Sequence, residues 1–193
     1  MRLIRGSSIT ETIYEATDKC RYILGWQWER GAKTLGLLML NPSTARPDKH
    51  DHTTRKVVQI AKHNGFGGVI IANVIPYKTP SPEVMCNWLR TADMCKIESV
   101  IDENQIHVRR AAKMASRMVM AYGNRPSSHN MLDRALSVAM NTIYQASPAR
   151  HKIVYCFGEN TNGTPRHPLS RGKNFVPATA GIIKYRQWDG VYF

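Results

Sequence analysis

Short apolar runs, each closed by turn residues, recur along this 193-residue chain and predict the strands of a buried sheet. The four clearest runs occupy residues 34–40, 69–74, 117–122 and 152–158. Residues 21–28 are rich in aromatic and branched side chains and predict another strand. We expect it to pair antiparallel with 34–40 through the turn at 30–33. Residues 8–16 predict an edge strand or ordered arm, and 182–185 predict a short strand.

Apolar residues at helical spacing separate these strands. A helix over about 54–64 has Asp51 or Thr53 as its N-cap and Gly65 at its end. Residues 82–116 are mostly helical in pattern, with a break near Asp102. The stretch 129–146 is amphipathic, and its inward positions are Leu132, Ala135, Leu136, Ala139, Met140 and Ile143.

The alternation of strand, helix and strand favours parallel crossovers. The chain is therefore predicted to be a single α/β domain over residues 1–193, with a central, mostly parallel sheet and helices on both faces. An antiparallel N-terminal strand or hairpin at 8–28 precedes a core over 34–170, and a tail follows over 171–193.

The net charge of +13 is unevenly distributed. From Asn104 to Phe193 there are 13 Lys and Arg but three acidic residues, so this half carries +10. Such a surface attracts polyanions, and DNA or a nucleotide is the partner that this charge favours. A charge that serves only solubility is the alternative.

The cysteines and the hydropathy of the chain argue against a metal-binding protein and a membrane protein. The four cysteines form no C-x-x-C pair, which argues against a zinc site and favours reduced thiols. Residues 48–52 (DKHDH) are dense in possible metal ligands, but a helix N-cap in a polar loop is the favoured interpretation. We expect no metal and no cofactor. Without an apolar leader or a run of about 20 apolar residues, we expect a cytoplasmic protein, with a virus-infected host cell as one setting, and no membrane partner.

The segment NPSTA at residues 41–45 directly follows the apolar run 34–40. Pro42 lacks an N–H group and cannot continue a central strand, so the chain must turn there. Ligands of open α/β sheets bind at the carboxyl ends of the strands. The amide of Asn41 is therefore a candidate for holding a water molecule or a base edge.

A second candidate follows the last core strand, in the segment GTPRHPLS at residues 163–170. Two prolines restrict the backbone on either side of His167. An imidazole held in this way can donate a hydrogen bond to a developing oxyanion or to a base carbonyl. A rigid loop whose histidine binds a carboxylate or solvent is the alternative.

Several motifs resemble those of an uncharacterised domain family that carries, in this order, C-R-Y, L-N-P-S-T-A, D-P-T, a strand ending near an Asn, and G-x-P-R-H-P-L. The matching segments are 20–22, 40–45, 51–53, Asn73 and 163–169, and they span most of the chain. This chain has His52 where the family prefers Pro and Tyr122 where it prefers Trp. The family itself implies no activity.

A more distant resemblance, to uracil-DNA glycosylases of the mismatch-specific type, implies more. Residues 41–43 resemble their N-P-G motif, and residues 167–170 resemble their H-P-S motif. The resemblance implies a uracil-DNA-glycosylase-like fold, a catalytic Asn41 that orients the attacking water, and a catalytic His167 that contacts the base. Cleavage of an N-glycosidic bond is then the expected reaction, after the base is flipped out of a duplex.

The remaining candidate residues divide into two groups. Substrate contacts are expected from Pro42, Ser43, Thr44, Asp51, Asn73, Tyr77, Tyr122, Gly123 and Ser170, with Tyr77 or Tyr122 as the stacking ring. Phosphate contacts are expected from Arg166, Arg171 and Lys173, and from one helix face that carries Arg110, Lys113 and Arg117. Two other functions stay open: modification of a DNA base without excision, and non-catalytic binding of DNA or a nucleotide, for example by a viral protein.

Overall fold

A seven-stranded sheet forms the centre of the computed structural model, which describes residues 9–124, 130–146 and 153–187. The strand order is β1-β2-β4-β3-β5-β6-β7. The four central strands are mutually parallel, whereas β1, β2 and β7 run antiparallel to their neighbours. The strands are β1 (Glu11–Ala16), β2 (Arg21–Gln27), β3 (Thr34–Met39), β4 (Gly68–Asn73), β5 (Arg117–Met120), β6 (Ile153–Cys156) and β7 (Ile183–Gln187).

Four α-helices are found among the described residues: α1 (His52–His63), α2 (Pro82–Thr91), α3 (Met94–Met114) and α4 (Asn130–Ala146). Of the two N-cap candidates for α1, Asp51 is the cap, because its Oδ1 accepts a hydrogen bond from Thr54 N at 2.8 Å. Gly65 follows this helix with a φ of +74°, as predicted for a terminating glycine.

Two apolar clusters cover the two faces of the sheet. Helix α1 packs on one face through Val57, Val58 and Ile60. Helices α2, α3 and α4 contribute to the cluster on the other face, for example through Met85, Val108 and Ile143. The predicted α/β class, with a mostly parallel sheet and helices on both faces, is therefore confirmed. In α4, Leu136 is only half-buried, unlike the other positions predicted to face inward.

The predicted hairpin between β2 and β3 is wrong. Strand β4 lies between them, antiparallel to β2 and parallel to β3. Strand β3 also pairs in parallel with β5, so both of its edges are occupied. Residues 35–39 are buried throughout, which suits a central strand better than a hairpin arm.

The predicted helix break near Asp102 is also wrong. The break lies at residues 92–93, because Ala92 is extended and Asp93 caps the next helix by accepting a hydrogen bond from Lys96 N at 3.1 Å. Asp102 is an exposed residue within α3. Residue 8 of the predicted first strand and residue 129 of the predicted fourth helix lie outside the described residues.

The carboxyl ends of β3, β4, β5 and β6 share one edge of the sheet. Strand β2 runs in the opposite direction, so its first residue, Arg21, lies at the same edge. The loops that follow the parallel strands therefore converge there, and α1 also begins at this edge.

Candidate functional site

A cavity of about 320 Å³ lies at this edge of the sheet. Its volume is at the lower end of the roughly 300–1,000 Å³ typical of small-molecule sites. Sheet residues, the start of α1 and the four loops that follow β3, β4, β5 and β6 form its walls. The lining residues that matter most for its chemistry are Arg21, Asn41, Ser43, Asp51, Thr53, Thr54, Asn73, Thr79, Tyr122, Gly123, Asn124 and His167.

Asn41 is held in one orientation by the loop that follows β4. Its Nδ2 donates a hydrogen bond to the carbonyl oxygen of Thr79 at 2.7 Å. The N–H of Thr79 donates to Pro42 O at 2.9 Å, which ties the two loops together a second time. With Nδ2 engaged in this way, Oδ1 is the atom of Asn41 that can accept a hydrogen bond from a water molecule or a ligand.

The imidazole of His167 is neutral and has a defined tautomer. Burial lowers the pKa of His167 to about 4, although the negative charge of Asp51 opposes this shift. Nδ1 accepts a hydrogen bond from Leu169 N at 3.1 Å. The ring proton of the neutral form therefore resides on Nε2, and His167 offers an N–H donor rather than a cation.

Gly123 allows the His167 loop to approach the end of β5. Its φ is +73°, a value that L side chains adopt at a cost. A Cβ atom at this position would lie 3.0 Å from the Cβ of His167. The glycine thus leaves space for the histidine at the cavity wall.

Asn73 contributes the most unusual feature of the cavity. Asn73 is the last residue of β4 and is 1% exposed. Neither Oδ1 nor Nδ2 has a hydrogen-bond partner among the described residues. Buried polar side chains are normally paired, because leaving one donor or acceptor unpaired costs about 1–3 kcal/mol. A ligand that offers both an acceptor and a donor would satisfy this amide.

Arg21 is a cavity residue that was not among the predicted site residues. It is 4% exposed, and one guanidinium nitrogen, Nη1, donates to Ala45 O at 2.9 Å. Burial lowers the pKa of Arg21 to about 10, and the charge of Asp51 opposes this shift. The available signal was the C-R-Y motif, which places an arginine at the start of an apolar strand.

Asp51 both lines the cavity and caps helix α1. It lines the cavity, and its Oδ1 accepts hydrogen bonds from Thr54 N at 2.8 Å and from Thr54 Oγ1 at 3.0 Å. The N-cap interpretation of segment 48–52 is therefore confirmed. Among the described residues, no group of three or more His, Cys, Asp and Glu side chains is placed to hold a metal ion.

Seven of the predicted catalytic and substrate-contact residues line the same cavity: Asn41, Ser43, Asp51, Asn73, Tyr122, Gly123 and His167. The Tyr122 hydroxyl lies 3.4 Å from that of Tyr185.

Four of the predicted substrate contacts do not line the cavity. Pro42 is buried, and Thr44 lines a neighbouring pocket. Ser170 donates its N–H to His167 O and so supports the loop. Tyr77 stacks on Trp88 with ring centroids 4.7 Å apart, so one face of its ring is already covered.

The predicted helix face of three basic residues is wrong. Arg117 is not helical, because Ala115 ends α3 in an extended conformation and Arg117 begins β5. Arg110 forms an ion pair with Glu15. Lys113 and Arg117 line a pocket at the amino end of β5, opposite the edge that carries His167.

The other predicted phosphate contacts flank His167 without lining its cavity. Arg166 packs over Gly158, and its Nε donates to Glu159 O at 3.1 Å. Arg171 and Lys173 are exposed around a short 3₁₀ helix, Gly172–Asn174. Their role in binding nucleic acid stays a prediction.

Comparison with family models matches residues 21–169 to a family described as "Protein of unknown function (DUF1643)". The chain belongs to the DUF1643 family. The match covers β2 to the His167 loop, and so it includes every element that lines the cavity. No curated protein and no solved structure matches the chain. The uracil-DNA glycosylase resemblance is not supported by these comparisons and stays a prediction for this DUF1643 member.

Within residues 9–124, 130–146 and 153–187, no helix has the length and apolarity of a membrane span.

Proposed function

We propose that this protein binds a nucleoside unit of DNA or of a nucleotide in the cavity and hydrolyses its N-glycosidic bond. The observation that carries the proposal is the buried amide of Asn73, whose donor and acceptor both lack partners among the described residues. Every nucleobase presents neighbouring donors and acceptors along an edge, and a side-chain amide pairs with such an edge through two hydrogen bonds.

The size and polarity of the cavity support a single base as the recognised unit. About 320 Å³ accommodates one nucleoside-sized group but not a stack of bases. Ile71 and Met39 supply apolar walls next to Asn73. A planar base would thus lie between apolar side chains with one polar edge on the amide.

Asn41 is suited to positioning the attacking water. Its Nδ2 donates a hydrogen bond to Thr79 O, so Oδ1 is the atom that accepts a hydrogen bond from that water. An amide is not a base and cannot remove the proton. The rate must therefore depend mainly on stabilising the departing base.

His167 supplies that stabilisation. As the bond from C1′ to the base nitrogen breaks, its electron pair passes to the base and the sugar becomes cationic. The Nε2–H group of neutral His167 donates a hydrogen bond to the anionic base, while water adds to C1′ and loses a proton, which the departing base takes up to leave as the neutral base. Loss of one such donor typically lowers the rate by about 10²–10³-fold.

The test is base release from a panel of substrates. Free nucleosides, their 5′-monophosphates, single strands and duplexes carry the common bases, uracil or 5-hydroxymethyluracil, and released bases are quantified by chromatography. We expect release from at least one substrate, with a loss of about 10²–10³-fold in His167→Ala and a strong loss in Asn41→Ala. His63→Ala and Asn87→Ala remove the same groups from exposed helical positions and should retain activity.

The two other functions correspond to different outcomes of this assay. A changed base mass without an abasic site indicates modification rather than excision. Binding without any chemical change across the panel indicates a binder, as expected of a protein that sequesters DNA or a nucleotide signal. Either result would refute the hydrolase proposal. Detection of the active protein in the cytoplasmic fraction would test the predicted location.

A further inference from the structure

The charge of Arg21 is buried in the cavity wall without a direct counter-charge. The side chain is 4% exposed, and among the described residues it forms no ion pair. Ala45 O accepts a hydrogen bond from Nη1, whereas Nε is buried and has no partner within the described part of the chain. Asp51 acts on Arg21 only through its field, and the Asp51 Oδ1 atom is engaged in capping α1.

An arrangement of this kind is costly in the absence of an anion. A buried charge loses its hydration, and the penalty remains several kcal/mol unless a counter-charge with good geometry compensates it. A guanidinium group has five donors arranged in a planar fork, which matches the oxygens of a phosphate. One hydrogen bond to a backbone carbonyl leaves most of this capacity unused.

The surroundings of Arg21 strengthen its preference for an anion. A second pocket, of about 400 Å³, shares Ser43, Thr79 and Pro80 with the main cavity. Its other walls carry three cationic side chains, those of Arg46, Lys49 and Lys78. Ala45, the acceptor of the Arg21 hydrogen bond, also lines this pocket, so Arg21 lies at the wall between the two spaces.

We propose that Arg21 binds a phosphate of the ligand whose base pairs with Asn73, so that the site takes a nucleotide in preference to a nucleoside. This inference rests on the proposed base recognition in the same cavity. The phosphate belongs either to a free nucleoside 5′-monophosphate or to the backbone of a strand. The part of the ligand that extends beyond this phosphate lies in the neighbouring cationic pocket.

The test compares matched ligands with and without phosphate. Isothermal titration measures the affinity of the wild-type protein for a set of nucleosides, their 5′-monophosphates and the corresponding dinucleotides. Base release is followed in parallel to correct for turnover. We expect a phosphate-bearing ligand to bind at least about tenfold more tightly than its nucleoside. A preference for the monophosphate identifies a free nucleotide, and a preference confined to the dinucleotide identifies a strand.

Arg21→Gln should abolish this preference while the affinity for the nucleoside is retained. Arg30→Gln removes the same charge from the exposed turn after β2 and should leave the preference intact. Equal affinity of the wild type for both ligand forms would overturn the proposal. So would an equal loss of both affinities in Arg21→Gln, since that is the signature of a purely structural arginine.

Two further measurements cover the remaining cases. Arg21→Lys keeps the charge and should retain a reduced preference if Arg21→Gln does not fold. If neither variant folds, hydrogen exchange on the wild type decides: the phosphate-bearing ligand must protect residues 45–49 more than the nucleoside does, and equal protection overturns the proposal. Inorganic phosphate that binds the wild type but not Arg21→Gln, without any nucleoside binding, would retain the phosphate site and refute the base site alone.

Discussion

The neutral state of His167 leads to a prediction about acid stability. Burial places the pKa of this histidine at about 4 in the folded protein, against an ordinary value of 6.5. Between these values the unfolded chain binds a proton at this position and the folded chain does not. Stability is therefore unaffected by His167 above pH 6.5, falls as the pH decreases from 6.5 to about 4, and levels off below.

The size of the loss follows from the shift in pKa. One pKa unit corresponds to about 1.4 kcal/mol. After allowance for the partial solvation of a half-buried ring, we expect His167 to account for about 2–3 kcal/mol between pH 7 and pH 4. For a protein whose total stability is about 5–15 kcal/mol, this is a measurable fraction.

Urea denaturation at half-unit steps from pH 7.5 to 4 measures this contribution. His167→Asn cannot take up a proton at this position, so its stability should decline less steeply than that of the wild type. His50 and His107, whose pKa values are also lowered by burial, are present in both proteins and cancel in the comparison. His63→Asn controls for the loss of one exposed imidazole. Parallel curves for wild type and His167→Asn would refute the reasoning.

Two further substitutions test the geometry of the cavity. Gly123→Ala should lose about 1–2 kcal/mol of stability because of its positive φ, and it should also lose base release because the new Cβ displaces His167. In the control Gly31→Ala, φ is +75° and the new Cβ would have no atom within 4 Å, so only stability should fall. Thermal melting measures the stability of both variants, and the chromatographic assay measures their base release. Asn73→Leu should raise the free energy of unfolding by about 1–3 kcal/mol, because the substitution removes an unpaired buried amide. The same variant should no longer bind the ligand. A lower stability in urea denaturation would indicate that the amide has a structural partner.

The strands and helices could be predicted from the sequence because each carries a local pattern. The pairing of β2 could not, because a short polar turn between two strands favours a hairpin unless a later strand competes. Here β4 takes the position between β2 and β3. The break between α2 and α3 was misplaced because Asp93 and Asp102 are equivalent cap candidates in sequence, and only the extended conformation of Ala92 distinguishes them.

The site could be predicted in part for a related reason. Asn41 and His167 follow strands and each directly precedes a proline, so the turns that present them are visible in the sequence. Arg21 begins an apolar strand, and a charged residue at such a position is usually exposed rather than buried. Its burial goes with a hydrogen bond to Ala45 O, a residue 24 positions away that cannot be derived from local pattern.

In this cavity the residues proposed to bind the ligand lie on strands, whereas the residues proposed to take part in the reaction lie on loops. Asn73 ends β4 and Arg21 begins β2, and these two strands pair directly with each other. Side chains on paired strands are held more precisely than side chains on loops. Asn41 and His167, the proposed reacting contacts, lie on loops: Asn41 is held by the loop after β4, and His167 by a hydrogen bond within its own loop. We therefore expect substitutions at Asn73 and Arg21 to change whether and which ligand is bound, and substitutions at Asn41 and His167 to change how fast the bound ligand reacts.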